Sequence, residues 1–234
     1  MKITILTLFP QMIKSFLETS IIKRAIDQKL VQIEVTNFRD FSIEKHKKVD
    51  DNIFGGGAGM LLMLDPIVRC LKNVRTQNSK VYLLSPDGTK LDQSLVYDLS
   101  KNIEHLILVA GHYEGFDHRI YNYVDGALSI GDYIMTGGEL PAMVVCDSIV
   151  RLLPNVINSD SLLSESFDDY LLDKPSYTRP SIYDGYKVPQ ILLSGNHKEI
   201  KKFNNLEKIR ITKEKRPDLY LKYLKFKKEK NHGK

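Results

Sequence analysis

The 234-residue chain has no tryptophan and only two cysteines, Cys70 and Cys146. Two isolated cysteines in apolar helical contexts exclude a disulfide framework and a thiolate metal site, and they read as buried free thiols. No run of ~18 apolar residues occurs, so no membrane-spanning helix is expected. The apolar start, Met1 to Pro10, is too short for a signal peptide and has no small-residue cleavage site. It partly alternates apolar with polar residues and is expected to form a first β-strand. Both common phosphate-binding signatures are missing. The glycine cluster at 55–59 lacks G-x-G-x-x-G spacing, and no Gly-Lys-Ser/Thr follows it. There is no internal repeat.

What remains is ordinary folded-protein composition, 42% hydrophobic and 27% charged, enough for one large or two small domains. The first 150 residues alternate strand-like and helix-like patterns. Strands are expected at 2–8, 31–36, 80–84, 105–110 and 126–130, with helices at 11–29, 65–74, 91–101 and 138–152. Strands interleaved with helices imply an α/β domain whose mostly parallel sheet has helices on both faces. From Asn155 to Asp173 the chain turns polar and reads as a linker. A Pro-, Tyr- and Arg-containing stretch follows (Lys174 to Pro189), then short charged helices at about 196–210 and 213–230. These predict a small helical second domain.

Net charge is +5 but unevenly spread: Gly195 to Lys234 carries 14 Lys+Arg against 5 Asp+Glu, and the preceding residues 20 against 24. A basic end on a slightly acidic body points to a polyanionic partner held there by Lys198, Lys201, Lys202, Arg210, Lys213, Lys215 and Arg216. Lys225 to Lys234 alone reads as a solvated tail.

Three glycine-rich loops stand out. Gly55-Gly56-Gly57-Ala58-Gly59-Met60 comes first. Gly111-His112-Tyr113-Glu114-Gly115 follows the apolar Leu106 to Ala110. Ser129 to Pro141 holds Gly131, Gly137 and Gly138 around Tyr133 and Met135. Glycine lets a ligand lie against bare backbone, and ligands of open α/β sheets bind beyond the carboxyl ends of the strands. These loops therefore predict a pocket that reads its ligand through backbone groups.

Several blocks run in one order across nearly the whole chain. They are Ser85-Pro86-Asp87-Gly88 through Lys90-Leu91-Asp92, Gly111 to Gly115, Ser129 to Met143, Glu165-Ser166-Phe167, Tyr177-Thr178-Arg179-Pro180, and Leu193-Ser194-Gly195-Asn196-His197. In these blocks the sequence closely resembles the bacterial tRNA (guanine-N1)-methyltransferases of the knotted SPOUT superfamily. The resemblance implies a deep trefoil knot in the first domain, a rare exception to unknotted topology. It implies domains at 1–157 and 174–234 joined by a linker at 158–173. It also implies a cytoplasmic homodimer whose active site lies between subunits, with tRNA bound by the basic domain.

The resemblance further implies methyl transfer from S-adenosylmethionine to N1 of guanosine at tRNA position 37. The cofactor would be held by Leu84, Ser85 and Pro86; by Gly111, Glu114 and Gly115; and by Ile130, Gly131, Asp132, Tyr133, Ile134 and Met135, with Gly137, Gly138 and Pro141 closing around it. Asp50, Gly55, Gly59 and Met60 match the loop that shapes the guanine pocket. Asp173, Arg179, Ser194 and His197 match positions that meet tRNA, and His197 serves equally well as a helix cap. Glu114 would lie near the target base or a Mg²⁺ ion, but one carboxylate is not a metal site.

Guanine N1 must lose a proton before it attacks, and a carboxyl of pKa ~4 is a weak base for it. A cation on guanine O6 would stabilise the developing charge. Glu165 is the implied base with Asp173 in reserve, and Arg151 is the implied cation. The chain departs from common family residues at Ala58 (often Pro), His112 (often Arg) and Glu165 (Asp in several members). Two other classes share part of the pattern: a knotted methyltransferase for another RNA nucleoside, and a non-catalytic RNA-binding module. The intact cofactor loops argue against the second.

Overall fold

The computed structural model describes residues 1–158, 165–167 and 169–232. Two compact units divide the chain, Met1–Ser159 and Asp160–Lys234. In chain order the first contains β1 (Lys2–Thr7), α1 (Pro10–Leu17), α2 (Ser20–Asp27), β2 (Gln32–Asn37), β3 (Asp50–Asn52), β4 (Met60–Leu62), α3 (Leu64–Val74), β5 (Ser79–Lys90), α4 (Gln93–Asn102), β6 (His105–Ala110), β7 (Gly126–Ser129) and α5 (Glu139–Val150). The second contains β8 (Ile182–Tyr183), β9 (Tyr186–Lys187), α6 (Gln190–Leu193), α7 (His197–Lys215) and α8 (Pro217–His232).

Five strands form one sheet in the order β2-β1-β6-β5-β7, every pairing parallel. The central β6 reads His-Leu-Ile-Leu-Val-Ala and is buried along its whole length, the pattern of a parallel strand covered on both faces. Side chains alternate between faces. Leu106 and Leu108 pack with Ile3, Ile5 and the inner faces of α1, α2, α4 and α5. Ile107 and Val109 pack with Val81, Leu83, Phe38 and α3. The α/β class with helices on both faces is therefore observed. In α5 the buried Ala142, Val145, Cys146 and Ile149 recur at helical spacing, one stripe against the sheet. Both cysteines are buried and free, and burial pushes each thiol up to about 12, so neither is a nucleophile at neutral pH.

β5 hides a detour. It pairs with β7 as far as Leu84↔Leu128 and resumes at Thr89↔Leu128. Ser85 to Gly88 thus leave the ladder and return at the same place. Gly88 makes the return fit: a Cβ there would lie 2.5 Å from the backbone N of Leu128, closer than any side chain tolerates.

Three expectations change. The single helix at 11–29 is two, because Thr19 turns extended and its hydroxyl bonds back to the carbonyls of Ser15 and Phe16, a local alternative to the helical ladder. The break between the last helices falls at Arg216, not near 211, and Pro217 opens α8; proline is tolerated in a first turn and not inside a helix. The glycine cluster at 55–59 is the tip of an antiparallel hairpin, β3 with β4. The polar Ser159, Asp160, Ser161, Ser164 and Asp168 of the expected linker lie outside the described residues. Its end is part of the second unit: Leu171 is buried, and Leu172 N donates to Thr212 Oγ1 at 2.8 Å.

One core group makes stability pH-dependent. The His105 ring sits between Thr4 Oγ1 and Thr76 Oγ1, at 2.9 and 3.0 Å. Burial and then the nearby Lys2 lower its pKa below 6.5. The unfolded chain takes up this proton near 6.5, the folded chain only at lower pH, so the contribution is complete above that value and declines as pH falls through it. Unfolding free energy measured in urea is expected to drop between pH 7.5 and 5.5, and His105→Gln to flatten that part of the profile. An unchanged slope in the variant would remove His105 as the cause.

Candidate active site

The carboxyl ends of β5, β6 and β7 open onto one cleft of about 260 Å³, near the lower end of small-molecule sites. Leu84, Ser85 and Pro86 supply one wall, residues 111–116 a second, and residues 128–138 with Pro141 the rest. Of the residues expected to hold a cofactor, only Asp132 is absent from the lining. Its side chain turns outward to Lys90 Nζ at 3.1 Å and is largely exposed. The cleft also takes in His112, Tyr113, Phe116, Leu128, Ser129 and Thr136, which were not among the expected cofactor residues. They alternate with motif residues within the same loops, so loop membership was the available signal.

Close backbone packing shapes the cleft. Gly138 caps α5 and donates its N–H to Gly111 O at 2.8 Å. A Cβ on Gly138 would stand 2.6 Å from Gly111 N and 2.7 Å from Ala110 Cα. The start of α5, with its free N–H groups and positive dipole end, is thereby pressed against the end of β6. Glu139 secures it from below. This carboxyl is buried, accepts from Thr7 Oγ1 at 2.6 Å, and lies 3.2 Å from His112 Nε2. It therefore links the end of β1, the loop after β6 and the first turn of α5.

The Ser85–Gly88 wall is held from outside the cleft. Tyr121 Oη donates to Asp87 at 2.8 and 3.0 Å, and Ser85 Oγ also donates to Asp87. The Ser85 bond, then the Tyr121 bond, hold the Asp87 carboxyl below its usual range against the opposing effect of burial.

The first glycine loop abuts this cleft. Leu62 N donates to Gly115 O at 2.9 Å and Glu114 N to Met60 O at 3.0 Å. Gly59 has a φ of +87°, and a Cβ there would meet the Glu114 side chain at 2.6 Å. Asp50 lies in β3, and Gly55, with a φ of +87°, lies at the exposed hairpin tip. The expected guanine-pocket residues and Glu114 are thus neighbours within one unit. Among the described residues Glu114 is the only carboxylate lining the cleft, and no group of three or more His, Cys, Asp or Glu could hold a metal ion.

The remaining expected residues are elsewhere. Arg151 is the C-cap of α5, ten residues beyond the cleft residue Pro141 and so about 15 Å along the helix at 1.5 Å per residue. Glu165, Asp173, Arg179, Ser194 and His197 belong to the second unit. Asp173 accepts Lys174 N at 2.7 Å and lies 3.4 Å from Lys208 Nζ. Burial raises its pKa, but the Lys174 backbone bond and the two lysines outweigh that and lower it, which weakens Asp173 as a base. Ser194 Oγ donates to Ile191 O. The cap of α7 is Asn196, whose Oδ1 accepts from Glu199 N at 3.3 Å; His197 is the first helical residue and does not cap.

An open parallel α/β sheet with a glycine-lined cleft at its carboxyl edge defines a small-ligand-binding α/β protein. A family model described as tRNA (Guanine-1)-methyltransferase TrmD matches residues 1–222. A tRNA (guanine-N(1)-)-methyltransferase of Mycoplasmoides gallisepticum is 58% identical over 229 residues, covering 95% of this chain and 98% of its own. That of Malacoplasma penetrans is 57% identical over 225 residues, covering 96% and 99%, and that of Ureaplasma urealyticum is 53% identical over 228 residues, covering 97% and 100%. The chain belongs to the tRNA (guanine-1)-methyltransferase family.

Removing an acceptor from a buried pair costs ~1–3 kcal/mol, whereas an exposed change costs within ~0.5. In urea unfolding Glu139→Gln is expected to fall in the first range and Asp132→Asn in the second. Equal effects would contradict the role given to Glu139.

Proposed function

We propose that this protein methylates N1 of guanosine at tRNA position 37, next to the anticodon, with S-adenosylmethionine as donor. The observation that carries the proposal is the glycine-lined cleft at the ends of β5, β6 and β7, in a chain matched by the family almost end to end. The cleft fits such a donor: the glycine-bearing segments 111–115, 130–131 and 133–138 line it, the start of α5 borders it, and Leu84, Leu128, Ile130 and Pro141 give it apolar walls. S-adenosylmethionine supplies an electrophilic methyl group on a sulfonium, which needs no acid or base at the donor. The protein's task is to hold the acceptor nitrogen in line at about 3–3.5 Å.

The acceptor side needs charge management. Glu165 takes the N1 proton, and Arg151 faces guanine O6 and stabilises the charge that builds there as the proton leaves. Asp50, Gly55, Gly59 and Met60, joined to Glu114 through the hairpin, shape the guanine pocket. The second unit holds the RNA through Arg179, Ser194, His197 and the cations of α7 and α8. Magnesium receives no step, because Glu114 alone does not make a metal site.

A homodimer belongs to this reading, with the cleft from one chain and Arg151 and Glu165 from its partner. Arg151 stands ten residues beyond Pro141, the last cleft residue of α5, and so about 15 Å along the helix, which favours an arginine supplied by a second copy. Phe9, Met12, Leu140 and Val144 stand exposed on α1 and α5 and their approaches, and α1 and α5 touch. This apolar surface beside the cleft suits a subunit interface. A deep trefoil knot, with Ser85–Gly88 and residues 131–138 as its crossing segments, accounts for the tight backbone passages at Gly88 and Gly138. The described residues include no helix long and apolar enough to cross a membrane, and a tRNA substrate places the enzyme in the cytoplasm.

Labelled S-adenosylmethionine is expected to methylate a transcript with guanosine at position 37 and not the same transcript with adenosine there. Label on both would redirect the enzyme to another nucleoside, and label on neither, with donor bound, would favour a binding module. Glu165→Gln and Arg151→Ala are expected to lower the single-turnover rate by ~10²-fold or more, with donor affinity little changed. Near-normal rates would remove that assignment.

A further inference from the structure

The second unit carries an aromatic feature that the catalytic account leaves unused. β8 and β9 form a two-stranded hairpin in which Tyr183 faces Tyr186 and Ile182 faces Lys187. Directly opposed residues lie on the same face of an antiparallel pair, so the two tyrosines share one side. Both are open to solvent, 75% and 80% exposed. Among the described residues neither ring packs on another aromatic ring, and neither hydroxyl has a hydrogen-bond partner. The support beneath them is stiff. Asp184 and Gly185 have φ of +49° and +78°, the two positive values of a type I′ turn, whose twist matches that of its strands. One further bond, Val188 N to Ser181 O at 2.9 Å, extends the ladder.

The charges around the rings indicate the partner. Arg179 and Lys187 flank the hairpin, both exposed, and neither is ion-paired among the described residues. Other cations of this unit are already engaged: Arg210 is held by Glu207 and Glu214, Arg216 by Asp218, and Lys208 by Asp173. Lys174, Tyr177, Arg179 and Asn204 line a cleft that includes Ser181 at the foot of β8. The unit Asp160–Lys234 carries 17 Lys+Arg against 11 Asp+Glu. Exposed aromatic rings beside unpaired cations suit unpaired nucleotides, whose bases stack on rings and whose phosphates meet the cations. An apolar protein partner would leave Arg179 and Lys187 unanswered.

We infer that the β8–β9 hairpin is a base-stacking platform: Tyr183 and Tyr186 receive unpaired bases of the RNA, and Arg179 and Lys187 hold the adjoining phosphates. The inference rests on tRNA being the substrate. It assigns the hairpin to affinity and positioning, not to the methyl-transfer step.

The test is binding of a fluorescent tRNA transcript across a salt series by wild type, Tyr183→Ala, Tyr186→Ala, the two Phe counterparts and Lys187→Ala. Stacking contributes about 5- to 100-fold per base and releases no counterions. Each alanine variant is therefore expected to bind 5- to 100-fold more weakly at every salt concentration with an unchanged salt slope, and each Phe variant to bind nearly as wild type. Lys187→Ala is expected to lower the slope by about one. Donor binding by the first unit serves as the control for intact protein. Alanine variants that bind within twofold of wild type would overturn the inference while leaving the tRNA reading in place. Alanine variants that change the molecular mass in solution would overturn it too, making the hairpin a protein contact. A wild-type protein that binds no tRNA at any salt would overturn both readings.

Discussion

The close passage of Gly138 over Ala110 and Gly111 is the constraint on which the cleft depends. Backbone there meets backbone with no room for a side chain, and one hydrogen bond from Gly138 N to Gly111 O fixes the distance. This contact sets the first turn of α5 against the end of the central strand. It leaves the residues between β7 and α5 to arch over the cleft. The buried Glu139, tied to Thr7 and beside His112, keeps that turn from sliding. Gly88 does the same work on the other side, where the excursion from β5 returns across β7.

The arrangement suits the chemistry proposed for it. A sulfonium donor carries its own driving force, so a pocket made of backbone and apolar walls is sufficient and a charged pocket is unnecessary. The difficulty lies with the acceptor, whose proton is held more tightly than a carboxylate ordinarily holds its own. The groups proposed for that problem belong to different parts of the chain, Arg151 to the C-terminal end of α5 and Glu165 to the second unit. The net charge divides the same way: the unit proposed to hold RNA carries 17 Lys+Arg against 11 Asp+Glu, and the unit that holds the cleft 17 against 18.

Much of this was legible in the sequence, for identifiable reasons. The buried run at 105–110 and its neighbours gave the parallel sheet, because covered strands are continuously apolar. The glycine loops marked the cleft because close backbone approach requires glycine. The misses were local or long-range. The bond from Thr19 to the preceding turn split the first helix, and hydrophobic spacing does not register such a bond. Pro217, a visible signal, fixes the last helix break where spacing alone placed it too early. Asp132 sits within the cofactor motif, yet Lys90 draws it outward, a contact 42 residues away in sequence. The Thr7–Glu139–His112 linkage joins three separate elements, so no local pattern announces it.

The central claim is that one chain supplies the cleft and a second supplies Arg151 and Glu165. The most direct measurement mixes two inactive variants under conditions that exchange subunits. Gly138→Val blocks the cleft and leaves Glu165 in place, while Glu165→Gln leaves the cleft open. If the account holds, each variant alone transfers little methyl to tRNA, and the mixture recovers up to about half of the wild-type specific activity per mixed dimer, since one of its two sites is whole. Mixed dimers that form and remain inactive would contradict it, because each chain would then have to complete its own site.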